Sequence, residues 1–193
     1  SASIDGNGYN INSLPNINLT KSWWCEQYYE NCLIDDKLYI VMGDIALSLY
    51  SYMEVIFFNQ TLAEQNDITG LYDLVNSGGW TYELFSKYGT MVGSDMNGDG
   101  TYTSSDLFGV ALNAHAIRTF QTSWDVELTK KDAGGYDTFN LPNERYIAGY
   151  EHLYDLIYNH TSTFCIFDGG TGQSVETPMF QNDQILFWAQ TLN

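Results

Sequence analysis

Three short apolar runs limit what this chain can fold into. Met53–Phe58 (Met-Glu-Val-Ile-Phe-Phe), Phe108–Leu112 and Ile185–Ala189 are rich in β-branched and aromatic residues and end at polar or glycine positions. Runs of that length predict strands, Met53–Phe58 a buried one, since a helix needs roughly ten residues and a membrane span about 18. Helical signals lie between them. Asn59 predicts an N-cap for a helix over 60–65. A second helix covers about 70–76 and stops at Gly78-Gly79, and Thr81 caps a third that runs through Val92. Pro142-Asn143-Glu144 opens the strongest helix, with Ile147, Tyr150, Leu153, Tyr154 and Ile157 on one face. Strands interleaved with helices predict an α/β fold.

The remaining elements are shorter. Residues 22–31 read as a helix that places Trp24 and Tyr28 on one face. Asp35-Asp36 reads as a turn between two short strands, the second a half-buried one over Lys37 to Met42. Ile117, Phe120 and Trp124 have helical spacing. Val126–Lys130 and Thr138–Leu141 predict a hairpin across Gly134-Gly135. Residues 161–173 read as a Gly- and Thr-rich loop, followed by a helical turn that ends near Asn182.

Charge narrows the partners. The 193 residues carry 24 acids and 7 bases, a formal charge of −17, which argues against nucleic acid and an anionic membrane surface as partners. Aromatic residues make up 16% of the chain, far too many for a disordered acidic tail. Three cysteines lack zinc spacing and are too few for a disulfide framework. On a helix Cys25 and Cys32 stand ~10 Å apart, beyond disulfide reach, so free thiols are expected unless the chain bends between them.

The most specific motif is Asp95-Met96-Asn97-Gly98-Asp99-Gly100-Thr101-Tyr102-Thr103-Ser104-Ser105-Asp106. It follows the twelve-residue EF-hand pattern. Asp95, Asn97 and Asp99 offer oxygens at positions 1, 3 and 5, Gly100 permits the turn at 6, and Thr101 offers its carbonyl at 7. Thr103 stands at 9 and Asp106 closes the loop at 12. Asp rather than Glu at the last position shortens the bidentate reach. The bland alternative is an Asn-Gly/Asp-Gly turn. A structural Ca²⁺ ion is the expectation; a regulatory sensor would need paired loops flanked by amphipathic helices.

Other candidates are weaker. Trp23, Trp24, Tyr28 and Tyr29 form an aromatic group suited to stacking on sugar faces, or simply to core packing. Asp44, after a strand and a glycine, suits sugar hydroxyls, or a turn. His115 follows the Phe108–Leu112 strand, where ligands collect in α/β sheets; solvated loop is the alternative. His152 and His160 read as surface and helix C-terminal residues. No nucleophile elbow, zinc protease motif or phosphate loop is present in the sequence.

Leu14-Pro15-Asn16-Ile17-Asn18-Leu19 with Trp23-Trp24, Leu38-Tyr39-Ile40-Val41 with Gly43-Asp44, and Phe57-Phe58-Asn59-Gln60-Thr61-Leu62-Ala63-Glu64 recur in a known order. Gly79-Trp80-Thr81, the Asp95–Gly100 run leading to Asp106-Leu107-Phe108-Gly109, Lys130-Lys131-Asp132 and Phe180-Gln181-Asn182-Asp183 follow. In that order the chain resembles the extracellular solute-binding proteins of carbohydrate ABC transporters, family 1 type. The resemblance implies a periplasmic-binding-protein-like type II lobe, a mixed sheet flanked by helices. Family members have about twice this length, so it implies a fragment. Residues 1–43 would be a remnant of lobe 1 and approach to the hinge, 44–53 the crossing segment, and 54–193 most of lobe 2. It also implies a lipoprotein anchored outside the cell, a carbohydrate ligand, an ABC permease as partner and no catalysis. Carried over by position, Asp44, Tyr50, His115, Trp188 and Gln190 would face ligand, with Trp24 in the family's Trp pair. The alternatives are a carbohydrate-active enzyme domain, which needs two carboxylates across a cleft, and a calcium-dependent cell-surface module.

Overall fold

The computed structural model describes residues 7–44, 46–113, 120–166 and 173–192. In chain order the helices are α1 (Glu26–Cys32), α2 (Leu47–Ser51), α3 (Gln60–Gln65), α4 (Leu71–Asn76), α5 (Tyr82–Val92), α6 (Glu144–Tyr154) and α7 (Gln173–Gln181). The strands are β1 (Glu54–Phe58), β2 (Phe108–Asn113), β3 (Thr129–Lys131), β4 (Asp137–Phe139), β5 (Thr163–Ile166) and β6 (Ile185–Thr191). The chain divides into two compact units. The first comprises Ser1–Met53, Glu127–Asn140 and Leu192–Asn193; the second comprises Glu54–Val126 and Leu141–Thr191.

The second unit is built on a four-stranded mixed sheet in the order β1-β6-β2-β5, so the architecture is α/β. β1 runs antiparallel to β6, while β6, β2 and β5 are mutually parallel. β2 is buried along its whole length, with Val110, Ala111 and Leu112 sealed from solvent as the centre of a two-sided sheet requires. Leu186 and Phe187 of β6 join Leu62, Leu71, Phe85 and Leu156 in the main core. Side chains of this size contribute roughly 1.5–3 kcal/mol each when fully buried. α5 lies very close to β2. A Cβ at Gly109 would fall on the Gly89 carbonyl, and one at Gly89 would stand 2.5 Å from Val110 Cγ2.

Local signals place several boundaries. Asn59 Oδ1 accepts the Leu62 N–H at 2.9 Å and caps α3, while its Nδ2 donates to Asp183 Oδ1 at 2.6 Å. Thr81 caps α5 and Asn143 caps α6 in the same manner. Gly78 follows α4 with φ +71°, in the left-handed region that glycine adopts freely.

Several expectations are corrected. Residues 161–173 are not all loop, because Thr163–Ile166 forms β5 against β2. Four residues, one of them a threonine and lying in a Gly- and Thr-rich stretch, give too short a run to stand out in sequence. β1 is half-buried rather than buried, since it lies at the sheet edge and pairs with β6 alone. The expected face of α6 holds at Leu153, which is buried, and at Ile157, which packs on the main core, and fails at Ile147 and Tyr154. Ile147 and Tyr154 are 47% and 60% exposed, whereas Gly149, Leu153 and Leu156 are buried. Gly149 allows close approach on its own side, and the helix widens into a π turn over Asp155–Asn159 that shifts the last residues around the axis.

In the first unit α1 starts at Glu26. Trp24 lies outside it in a bridge with Gly43, so Trp24 and Tyr28 do not share a helical face. Lys37 to Met42 does not form a strand. Its backbone groups are satisfied irregularly: Leu38 pairs with Ile11 and with the Asn10 side chain, and Met42 O accepts from Cys25 N and Tyr29 Oη. Asp35 and Asp36 do form the expected turn, both with positive φ, between bridged Ile34 and Lys37. β3 and β4 form the expected hairpin around Gly135, shorter than the sequence suggests. Cys25 and Cys32 are free thiols. Of the expected helix around Ile117, Phe120 and Trp124, residues 114–119 lie outside the described residues; Gln121–Trp124 is a 3-10 turn.

Candidate functional site

The three parallel strands of the second unit end on one edge of the sheet, and β1 starts there. In open α/β sheets this carboxyl edge is where ligands bind. It holds Asn113 at the end of β2 and Gln190 near the end of β6, both buried polar side chains at 1% and 5% exposure. Gln190 Oε1 accepts the Thr191 N–H at 2.9 Å. Glu54 opens β1 opposite Thr191.

A cavity of about 460 Å³ opens beside this edge. Trp80, Tyr82, Phe120 and Trp124 give it aromatic walls, Ile56 and Ala189 of the sheet contribute its apolar side, and Glu54, Thr122 and Ser123 supply polar groups. Each wall has a local cause. Trp80 stands between the glycine stop of α4 and the Thr81 cap of α5, stacked on Tyr88 and edge-on to Phe187. Tyr82, in the first turn of α5, donates its hydroxyl to the His152 carbonyl at 2.5 Å. Burial pushes the Tyr82 hydroxyl well above the usual phenol range, so it remains a donor at any ordinary pH. Trp124 ends the 3-10 turn and meets Tyr150 edge-to-face with centroids 5.1 Å apart. The volume lies in the range of small-molecule sites, and aromatic walls with few polar groups are their usual composition.

The sequence-predicted residues fall in different places. Trp24, Asp44 and Tyr50 belong to the first unit. Trp24 is half-buried against Gly43, Asp44 is exposed with its N–H donating to the Trp23 carbonyl at 2.8 Å, and Tyr50 is exposed on α2. Trp188 and Gln190 belong to the second unit. Trp188 lies beneath α7, between Phe57 and Phe180, with its indole N–H donated to buried Glu176 at 2.9 Å. His115 lies outside the described residues. Sequence reasoning misses Trp80, Tyr82, Trp124 and Glu54 as lining of this cavity. Glu54 at the head of an apolar strand is the one signal that points to a polar role there.

The loop over Asp95–Asp106 lies at the opposite end of β2, joined by the Ser94–Leu107 bridge and by Gln184 Nε2 donating to Ser104 O at 3.1 Å. Its carboxylates accept backbone N–H groups. Asp95 takes Gly98 and Gly100 at 2.7 and 2.8 Å, Asp99 takes Thr101 at 2.7 Å, and Asn97 Oδ1 takes Asp99 at 2.9 Å. Asp106 is fully buried and takes Thr103 at 2.8 Å and Met96 at 3.0 Å; the Thr103 N–H leads in holding its carboxyl below the usual range. Gly98 and Gly100 both have positive φ. The loop is therefore held by local side-chain to backbone hydrogen bonds. Among the described residues no group of three or more His, Cys, Asp or Glu side chains is already arranged around one point as metal ligands.

No protein-family model matches the chain, and neither a curated protein nor a solved structure is similar to it. What the fold defines is a mixed α/β sheet flanked by helices, with an aromatic cavity at its carboxyl edge.

Proposed function

We propose that this chain is a sugar-binding lobe of an extracytoplasmic solute-binding protein, type II, that captures a neutral oligosaccharide for an ABC permease. The observation that carries this reading is the aromatic cavity at the carboxyl edge of the sheet. Indole and phenol faces stack on the C–H faces of sugar rings, while Glu54, Thr122 and Ser123 offer partners for hydroxyls. Among the described residues its wall carries one carboxylate, Glu54, and glycoside hydrolysis by the two-carboxylate route needs a pair. A binding role without catalysis is therefore the favoured reading. In such a protein the ligand stabilises a closed form by its differential affinity for closed over open, and that form docks on the permease. The protein would work outside the cell, anchored as a lipoprotein; no helix among the described residues is long and apolar enough to cross a membrane.

The Asp95–Asp106 loop is proposed to hold a structural Ca²⁺ ion. Asp95, Asn97, Asp99, Thr101, Thr103 and Asp106 would supply hard oxygens in EF-hand order. The ion would fix the loop and the amino end of β2, at the far end of that strand from the cavity.

A thermal-shift titration with Ca²⁺, then with neutral oligosaccharides in saturating Ca²⁺, tests both parts. A ligand at 100 times its dissociation constant stabilises by about 2.7 kcal/mol. The expected result is a large Ca²⁺ shift and a further shift with one class of sugar, lost in Trp124→Ala. Absence of any sugar response overturns the binding reading, and absence of a Ca²⁺ shift overturns the metal reading.

A further inference from the structure

We infer that Gly149 is the residue that sets the position of Trp124, and through it the depth of the aromatic cavity. The inference rests on the sugar-binding reading only for what the cavity takes. Gly149 is buried in the middle of α6, where alanine would ordinarily be the better helix former by about 1 kcal/mol. Its neighbour explains the choice. A Cβ at this position would stand 2.5 Å from both Cε2 and Cε3 of Trp124, inside the indole's van der Waals surface. The indole therefore lies flat on bare helix backbone, in a slot one residue wide.

The rest of α6 closes that slot. Tyr146 and Tyr150, one turn apart, meet each other with ring centroids 4.8 Å apart and meet Trp124 edge-on at 6.2 and 5.1 Å. Gln121 donates to the Tyr150 hydroxyl, and Arg145 pairs with Asp125, which follows Trp124 with φ +53°. The 3-10 turn is thus tied to α6 on both sides of Trp124, and the indole packs against Tyr146, Tyr150 and the bare backbone at Gly149. A methyl group at residue 149 can be accommodated only by moving the ring outward, toward the cavity that Trp124 lines. A ring displaced in that direction shortens the cavity and removes a stacking surface. Gly149 touches no ligand; it acts through Trp124 and is a positioning residue.

The test is Gly149→Ala, compared with Trp124→Phe, with Trp124→Leu and with the double variant Gly149→Ala/Trp124→Leu. Near-ultraviolet circular dichroism of the unliganded proteins reads the indole directly. The Trp124→Phe difference spectrum identifies the Trp124 band, and Gly149→Ala should change that band. The double variant, whose smaller side chain leaves room for the methyl, should melt higher than Gly149→Ala and nearer the wild type than additivity allows. Binding of maltotriose and cellotriose, as neutral probes, should weaken at least tenfold in Gly149→Ala for whichever one the wild type binds. A Gly149→Ala protein with an unchanged Trp124 band overturns the inference, as does a double variant that melts no higher than the single one. If Gly149→Ala does not fold, the double variant alone decides. Failure of the wild type to bind any sugar sinks the sugar reading, and the indole and melting results still decide the role of Gly149.

Discussion

Asp106 shows how much one side chain holds together. Its carboxylate is buried at the start of β2 and collects the N–H groups of Met96 and Thr103 together with the Thr103 hydroxyl. Hydrogen bonds to the charged form lower a carboxyl pKa, and that is the direction found here. A depressed folded-state value means that the unfolded chain takes up protons first. The stabilisation is therefore fully present above the unfolded value, about 3.9, and is lost as pH falls through the folded value. Asp106→Asn in the presence of a chelator should be destabilised at pH 6. The gap from wild type should narrow as pH is lowered below 4. Urea midpoints measured across that range check this, and a gap independent of pH would contradict the assigned cause.

Elements here meet through glycine as much as through apolar side chains. Gly109 of β2 and Gly89 of α5 have no room for a methyl group, whereas nothing stands within 4 Å of a Cβ at Gly78. Gly109→Ala should therefore cost about 3 kcal/mol or more through backbone displacement. Gly78→Ala should cost only the left-handed strain, about 1–2 kcal/mol. Denaturation of the two variants under one condition separates the mechanisms. The same contrast explains what was legible in the sequence. Helices α3 to α6 and strands β2 and β6 announce themselves by caps, stops and apolar runs that act within a few residues. β5 escapes because its pairing with β2 is fixed by residues over 50 positions away, and the Lys37–Met42 alternation misleads because its backbone found irregular partners. The turns at Gly98 and Gly100 in the Asp95–Asp106 loop were readable because their geometry is local. The cavity was not, because Trp80 and Trp124 become neighbours only after the sheet has formed.

Over the whole molecule, net charge governs the response to salt. A formal charge of −17 on 193 residues makes compaction work against self-repulsion. Raising NaCl from about 10 to 150 mM shortens the screening length from about 30 to 8 Å. The melting temperature should rise by several degrees over that interval. CaCl₂ at matched ionic strength should add a further increment if the proposed metal loop is filled, and MgCl₂ should add less, because Mg²⁺ demands a tighter octahedron. A melting curve indifferent to NaCl would show that repulsion among the acidic groups does not limit stability.

The position of β1 carries one further consequence. Its odd-numbered residues turn their backbone groups toward β6, as the bonds from Asn59 N to Leu186 O and from Leu192 N to Met53 O fix the alternation. Glu54, Ile56 and Phe58 consequently direct theirs to the outer side, where no further strand pairs with β1 among the described residues. An apolar groove of about 520 Å³ runs alongside, between β1 and α4. Such an edge is a template for another extended segment, and short length and one acidic residue are what protect it. The salt that steadies each molecule also removes the repulsion that keeps neighbouring edges apart. Colloidal stability and folding stability should then move in opposite directions as ionic strength rises, and the conditions best for melting temperature will be the worst for storage.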